Sequence, residues 1–194
     1  MVEFNQLSSL EPNGSDETLL VRDGQPFRST LTAVLDTRFA VANGLQCAVF
    51  EERRNSGDNG GLLQPNQWGK RNLNHKQGTL GTLLNGVISL PPGNYLFSGY
   101  SSTLETSSSR CRLVSTDLTY NIPGLSCWAN HYTNLSFVQG VINLESPKDF
   151  QLQHRWHPDT LSDGTTRPSK SWNLGYRTGF DGPEVYASLL FIQF

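Results

Sequence analysis

The fold turns on the stretch Val87-Ile-Ser-Leu-Pro-Pro-Gly-Asn-Tyr-Leu-Phe-Ser-Gly-Tyr100. Two apolar, strand-like runs flank Pro91-Pro92-Gly93-Asn94. Prolines cannot donate to a sheet ladder, and Gly and Asn tolerate positive φ, so the hinge is predicted to be a tight, hairpin-like turn. Beyond it, alternation puts Tyr95, Phe97 and Gly99 on one strand face and Leu96, Ser98 and Tyr100 on the other. Similar runs recur at 46–52, 68–73, 80–84, 111–115, 135–144, 149–156 and 184–194. Turn clusters separate them at Arg53–Gly61, Ser107–Ser109 and Ser146–Lys148. Roughly nine strands with such punctuation predict an all-β sandwich or barrel. In the last run Val185, Ala187, Leu189 and Phe191 face one way, and Tyr186, Ser188, Leu190, Ile192 and Phe194 the other. A strand mainly apolar on both faces is expected at the centre of a sheet or at a subunit interface.

The 194 residues suffice for one sizeable β domain and an arm. Charged residues make up 16% of the chain, against about a quarter in an ordinary globular protein. Net charge is −2, so no general attraction to nucleic acid or to an anionic membrane is expected. Three cysteines, Cys47, Cys111 and Cys127, give no paired disulfide framework and predict buried thiols in a reducing compartment. The first residues show neither a basic nor an apolar signal region, and no apolar run approaches the ~20 residues of a membrane-spanning helix. The expectation is therefore a protein with no membrane insertion and no secretory routing of its own.

Residues 1–26 are polar and turn-rich, with one apolar patch at Leu19, Leu20 and Val21. They read as a tail or as an arm that folds on a partner. Residues 27–45 hold the one plausible helix, with Leu31, Val34, Leu35 and Ala42 near helical spacing and Asn43-Gly44 as a stop. Its threonines and valines weaken the helical pattern, and a strand feeding the sheet is the alternative. The longest irregular stretches, 118–134 and 158–183, carry Trp128, Tyr132, Trp172, Tyr176 and Phe180. Long loops on a β scaffold commonly bind ligands, although aromatic residues there also pin loops to the body.

No catalytic constellation emerges. His154 and His157 fall on opposite strand faces, which argues against a shared metal, and His154 is expected to be half-buried and hydrogen-bonded. No serine sits in a Gly-x-Ser-x-Gly turn, and no Gly-rich phosphate loop precedes a helix. Asp58-Asn59-Gly60-Gly61 lacks the spacing of a calcium loop and reads as a plain hairpin loop. Neither an enzyme activity nor a cofactor or metal is expected. Arg53-Arg54 and Lys70-Arg71 are the densest cationic pairs; with Trp68 they are either solvated or inter-subunit charges, or a clamp for an anionic or sugar ligand.

Three blocks carry a resemblance: Glu51–Gly61 leading to Trp68–Leu73, Ile88–Phe97, and Phe137–Ile142 with Phe150–Arg155. Together they resemble the small jelly-roll domains of bacteriophage virion proteins, found in capsid decoration proteins, head fibres and tail-fibre tips. That family is similar in architecture to tumour-necrosis-factor and complement globular heads. The resemblance covers residues 46–194 and implies an antiparallel β-sandwich jelly roll with an extended N-terminal arm over residues 1–45. It implies a non-enzymatic homotrimer, a capsid decoration or cement protein on the outer surface of the virion, assembled in the host cytoplasm on the major capsid protein. The alternative is a receptor- or glycan-binding tip attached to tail or head fibre components, contacting a host surface glycan. On this reading Leu19, Leu20, Val21 and Phe27 dock the arm. Tyr186, Leu190, Ile192 and Phe194 form the trimer interface. Arg53, Arg54, Trp68, Trp128, Trp172 and Tyr176 stand on possible ligand loops.

Overall fold

The computed structural model describes residues 17–22, 25–30, 45–104, 106–128, 133–158 and 173–194, the first two segments by backbone alone. The chain divides into two compact units, Met1–Gly44 and Leu45–Phe194. In the first, β1 (Glu17–Arg22) pairs antiparallel with β2 (Gln25–Thr30), and Leu20 stands opposite Phe27. The helix expected over 27–45 is corrected at its start, because Phe27 to Thr30 belong to β2. A Pro-Phe-Arg-Ser-Thr run rich in poor helix formers prefers the extended state. Residues 31–44, like the side chains of Leu19, Leu20, Val21 and Phe27, lie outside the described residues.

The second unit runs β3 (Gln46–Arg54), β4 (Gly69–Lys70), β5 (His75–Gly78), β6 (Thr82–Leu84), β7 (Val87–Leu90), β8 (Gly93–Leu104), β9 (Thr106–Ser115), β10 (Asn121–Trp128), β11 (Thr133–Leu144), β12 (Lys148–Pro158) and β13 (Glu184–Gln193). One sheet has the order β10-β9-β12-β7-β6, with β4 beside β12; the other has the order β11-β8-β13-β3-β5. Every pairing is antiparallel. From β7 onward the chain passes between sheets at β7–β8, β8–β9, β10–β11, β11–β12 and β12–β13. That winding is a jelly-roll sandwich. As expected, β13 lies inside its sheet, between β8 and β3.

The Val87–Tyr100 stretch is a corner rather than a hairpin. β7 pairs with β6 and β12, whereas β8 pairs with β11 and β13. Pro91 and Pro92 end one ladder before the other begins, because neither can donate. Gly93 has φ +152°, and a Cβ there would run into the amide of Gln193. The corner is fastened from β8 and β13: Tyr95 Oη donates to Pro91 O at 2.6 Å, and Gln193 Nε2 to Pro92 O at 3.1 Å.

Inward residues fill one apolar core. Phe191 packs edge-on to Phe50 and Tyr95, with ring centroids 6.0 and 6.4 Å away, and lies 5.6 Å from Phe97. Burying each such ring contributes about 1.5–3 kcal/mol before cavity effects. A second buried cluster is polar. Glu52 and Arg71, both fully buried, pair at 2.8 Å, and Arg71 also donates to Ser102 O and Leu174 O. The His154 ring meets Ser101 Oγ at 2.6 Å, and Thr103, Thr106, Ser109 and Asn134 form a further buried network. Burial holds the His154 pKa down at about 3, with the Arg71 charge adding to the effect, so the ring is neutral near pH 7.

Two stretches read as irregular are strands. Ser107 to Ser109 lie within β9, and Asn121 to Trp128 form β10. Serine is a turn former only where nothing pairs with it; here Ser108 is flanked by Trp128 and His157. Conversely, the strand expected over Trp68–Leu73 shrinks to Gly69–Lys70, because Arg71 turns inward to Glu52.

Candidate functional site

The two sheets present outer faces of opposite chemistry. On the β11-β8-β13-β3-β5 sheet, the residues alternating with the core form rows across the strands. One row is Val141–Leu96–Ile192–Cys47, and the next is Gln139–Ser98–Leu190–Val49–Gln77. A third, Phe137–Tyr100–Ser188–Glu51–His75, ends in the titratable side chains of Glu51 and His75. Val141 is 65% exposed, Phe137 49% and Leu96 47%. Tyr100 and Phe137 touch, with centroids 6.3 Å apart.

This face gathers two of the four residues assigned to the trimer interface, Leu190 and Ile192. Phe194 is exposed just beyond the strand, with its amide bonded to Asn94 O. Tyr186 is corrected: it is 5% exposed and buried within its own chain, its hydroxyl donating to Asp58 O at 2.6 Å. A β-bulge between Val185 and Ala187 breaks the alternation there. Leu96, Tyr100, Leu135, Phe137 and Val141 were not singled out for the interface. Their strands are half apolar on both sides, and only the pairing shows which side is out.

The outer face of the other sheet is polar. Arg110 stands opposite Arg155, Arg112 opposite Gln153, and Ser108 opposite His157. A bulge in β10 between Pro123 and Ser126 leaves Cys111 N to the Ser136 hydroxyl and turns Gly124 O toward Arg110, whose Nε donates to it at 2.8 Å. The Arg112 guanidinium lies 4.2 Å from the Trp68 ring centroid and donates twice to Gln153 Oε1. A cleft of about 310 Å³ is lined by Trp68, Ser108, Arg110, Ser126, Arg155 and His157.

The expected ligand loops do not converge on one site. Arg53 and Arg54 bond to their own strand's Glu51 and Glu52, at 2.6 and 3.4 Å, and rim a separate cleft with Asn55, Asp58 and Asn74. Lys70 Nζ donates to Asn85 O, while Arg71 is buried and so takes no part in a surface clamp. Trp68 belongs to the polar-face cleft. Trp128, in β10 rather than in a loop, is 71% exposed beside it. Tyr176 is exposed on the 173–183 segment, and Trp172 lies outside the described residues. His154 and His157 do face opposite ways, but His154 is fully buried rather than half-buried. Arg110 and Arg155, which line the cleft, and Arg112, which holds Trp68, lie outside the expected ligand loops; the Arg-x-Arg spacing within β9 is the sequence signal for the two in that strand.

The three cysteines are free thiols. Only Cys111 is buried, its thiol pushed up to about 11 by desolvation; Cys47 and Cys127 are half-exposed.

No family model matches the chain, and no curated protein matches its sequence. Among solved structures, the chain is similar to murine APRIL at pH 8.0, with TM-score 0.46 and 8% identity over 77% of this chain and 99% of that one. It is also similar to the globular domain of zebrafish complement 1qA protein, with TM-score 0.44 and 15% identity over 75% of this chain and 95% of that one. These are likenesses of fold.

Proposed function

We propose that this chain is a non-enzymatic structural module, a homotrimeric jelly-roll head that assembles through the outer face of its β11-β8-β13-β3-β5 sheet. The observation that supports this is the uncharged apolar field formed by Val141, Leu96, Ile192, Leu190, Val49 and Phe137. Contiguous apolar surface of this kind is unfavourable in water and marks interaction sites. A copy of the same chain suits it. The centre of the field carries no charge to repel a second copy.

The three-fold number and the setting rest on the sequence resemblance. The proposed role is capsid decoration, with the trimer seated on the phage head and the β1–β2 hairpin docking on the major capsid protein. An isolated two-stranded ladder is marginal in water, so ordering against a shell would suit such an arm. Many weak contacts then add through multivalency.

Size exclusion with light scattering tests the assembly. A trimer of about 65 kDa is expected, three times the 21.6 kDa of one chain, and a monomer at micromolar concentration refutes it. Leu96→Asp with Val141→Asp should give a folded monomer, since both side chains already face outward. Removing residues 1–26 should leave the trimer intact and abolish its binding to capsids that lack the protein. Retained binding refutes arm docking.

A further inference from the structure

The polar face carries an unsatisfied electrostatic demand. Arg110 and Arg155 are directly opposed across β9 and β12, where like charges destabilise a strand pair. Among the described residues, neither makes an ion pair. Arg110 spends its Nε on Gly124 O. Arg155 is more demanding still: its Nε is buried and has no hydrogen-bond partner. A buried guanidinium N–H without an acceptor is costly, so Arg155 is poorly compensated within the chain. Both arginines line the cleft, and an oxyanion placed between them would relieve their repulsion.

The surroundings specify what carries that oxyanion. The hydroxyls of Ser108 and Ser126 and the imidazole of His157 line the same cleft, ready to donate to or accept from several small polar groups. Trp68 forms one wall; its ring is held by Arg112. Exposed Trp128 stands beside Ser108 on the same strand face as Ser126. Clustered hydroxyl partners, flat aromatic surface and an arginine pair match a sugar ring that bears an acidic group. At about 310 Å³ the cleft is at the small end of ligand pockets. It is a compact site rather than the long cationic track a nucleic acid backbone needs.

We infer that the outer face of the β10-β9-β12-β7-β6 sheet is a binding site for an acidic saccharide, its carboxylate or sulfate held between Arg110 and Arg155. The site lies on the opposite sheet from the proposed trimer face, so one can fail without the other.

The full chain is titrated with 3′-sialyllactose, with a sulfated N-acetylglucosamine and with neutral lactose, read by calorimetry and saturation-transfer NMR. At least one acidic sugar should bind, lactose at least tenfold more weakly, and the affinity should fall as salt rises. Arg155→Gln and Arg110→Gln should each weaken binding at least tenfold, whereas Arg53→Gln, in the other cleft, should not. Unchanged oligomer mass and thermal midpoint separate lost binding from lost folding. The inference is overturned if neither acidic sugar binds or if the arginine variants bind normally. It is equally overturned if inorganic sulfate binds as tightly as the sulfated sugar, or if a short DNA oligonucleotide binds more tightly than either sugar.

Discussion

Arg71→Met isolates the cost of one buried charge. In the native chain the Arg71 guanidinium satisfies Glu52 at 2.8 Å, together with the carbonyls of Ser102 and Leu174. Methionine keeps most of the volume and removes every donor. Leu174 O still accepts from Ser102 Oγ at 2.9 Å, so the main loss falls on Glu52. That carboxylate is fully buried and would keep only the 3.4 Å contact to Arg54. Leaving one member of a buried pair uncompensated costs about 3–5 kcal/mol. For a body of this size, each kcal/mol corresponds to about 2–4 °C, so the midpoint should fall by about 6–20 °C. The double variant Arg71→Met with Glu52→Leu removes both charges and should recover most of that loss, because an apolar replacement of a buried pair is often neutral. Urea unfolding followed by tryptophan fluorescence measures both, at fixed protein concentration so that assembly does not shift the midpoint. A single-variant loss below about 1 kcal/mol refutes the reasoning, as does a double variant no more stable than the single.

Acidification should destabilise the protein well before its surface carboxylates titrate. His154 is held neutral with its pKa near 3, so between the ordinary histidine value and about 3 only the unfolded chain takes up that proton. Stability should fall with falling pH by up to about 1.4 kcal/mol per unit, and denaturant melts of His154→Asn should show a flatter slope there. The Glu184 pKa is lowered by hydrogen bonds from the backbone of Gly179, Thr178 and Gly57. Its contribution is present above the unfolded carboxylate range and lost below it, and Glu184→Gln should remove that acid-range step from the pH–stability curve. Gly175 has φ +140° and lies against the Tyr186 ring and Ser102 Oγ. Overpacking makes Gly175→Ala cost about 1–3 kcal/mol, and hydrogen exchange should show its main loss of protection at Leu174 and Gly60. Cys47 sits in the apolar row beside Ile192, so a thiol reagent should label it slowly in the trimer and readily in the Leu96→Asp, Val141→Asp variant. Equal labelling rates would exclude that face from the interface.

Much of the architecture was already legible along the chain. Alternation located the long strands β3, β8, β11, β12 and β13, and put Tyr95 and Phe97 on one face and Leu96 and Tyr100 on the other, because a period of two is a local property of the backbone; which pair fills the core was left to the fold. It could not choose a side in β11. There Leu135, Phe137 and Val141 alternate with Val138, Ile142 and Leu144, so both faces carry similar apolar content. Strand pairing makes that choice, and with it the candidate interface. The bulges are equally silent in the sequence. One turns Tyr186 from the interface into the interior, and the other brings Gly124 O to Arg110.

The Val87–Tyr100 segment shows the same division. By itself the sequence determined two strands and a break between them, since prolines without N–H groups and a glycine at φ +152° act within a few residues. Only the tertiary structure decided that the break is a corner between sheets rather than a hairpin, because the partners of β7 and β8 come from distant parts of the chain. The chemistry followed the same rule. The sequence showed the arginines one at a time. The ladder between β9 and β12 put Arg110 beside Arg155, and the fold buried Arg71 against Glu52, because charge pairing depends on distance in space, which sequence separation does not supply.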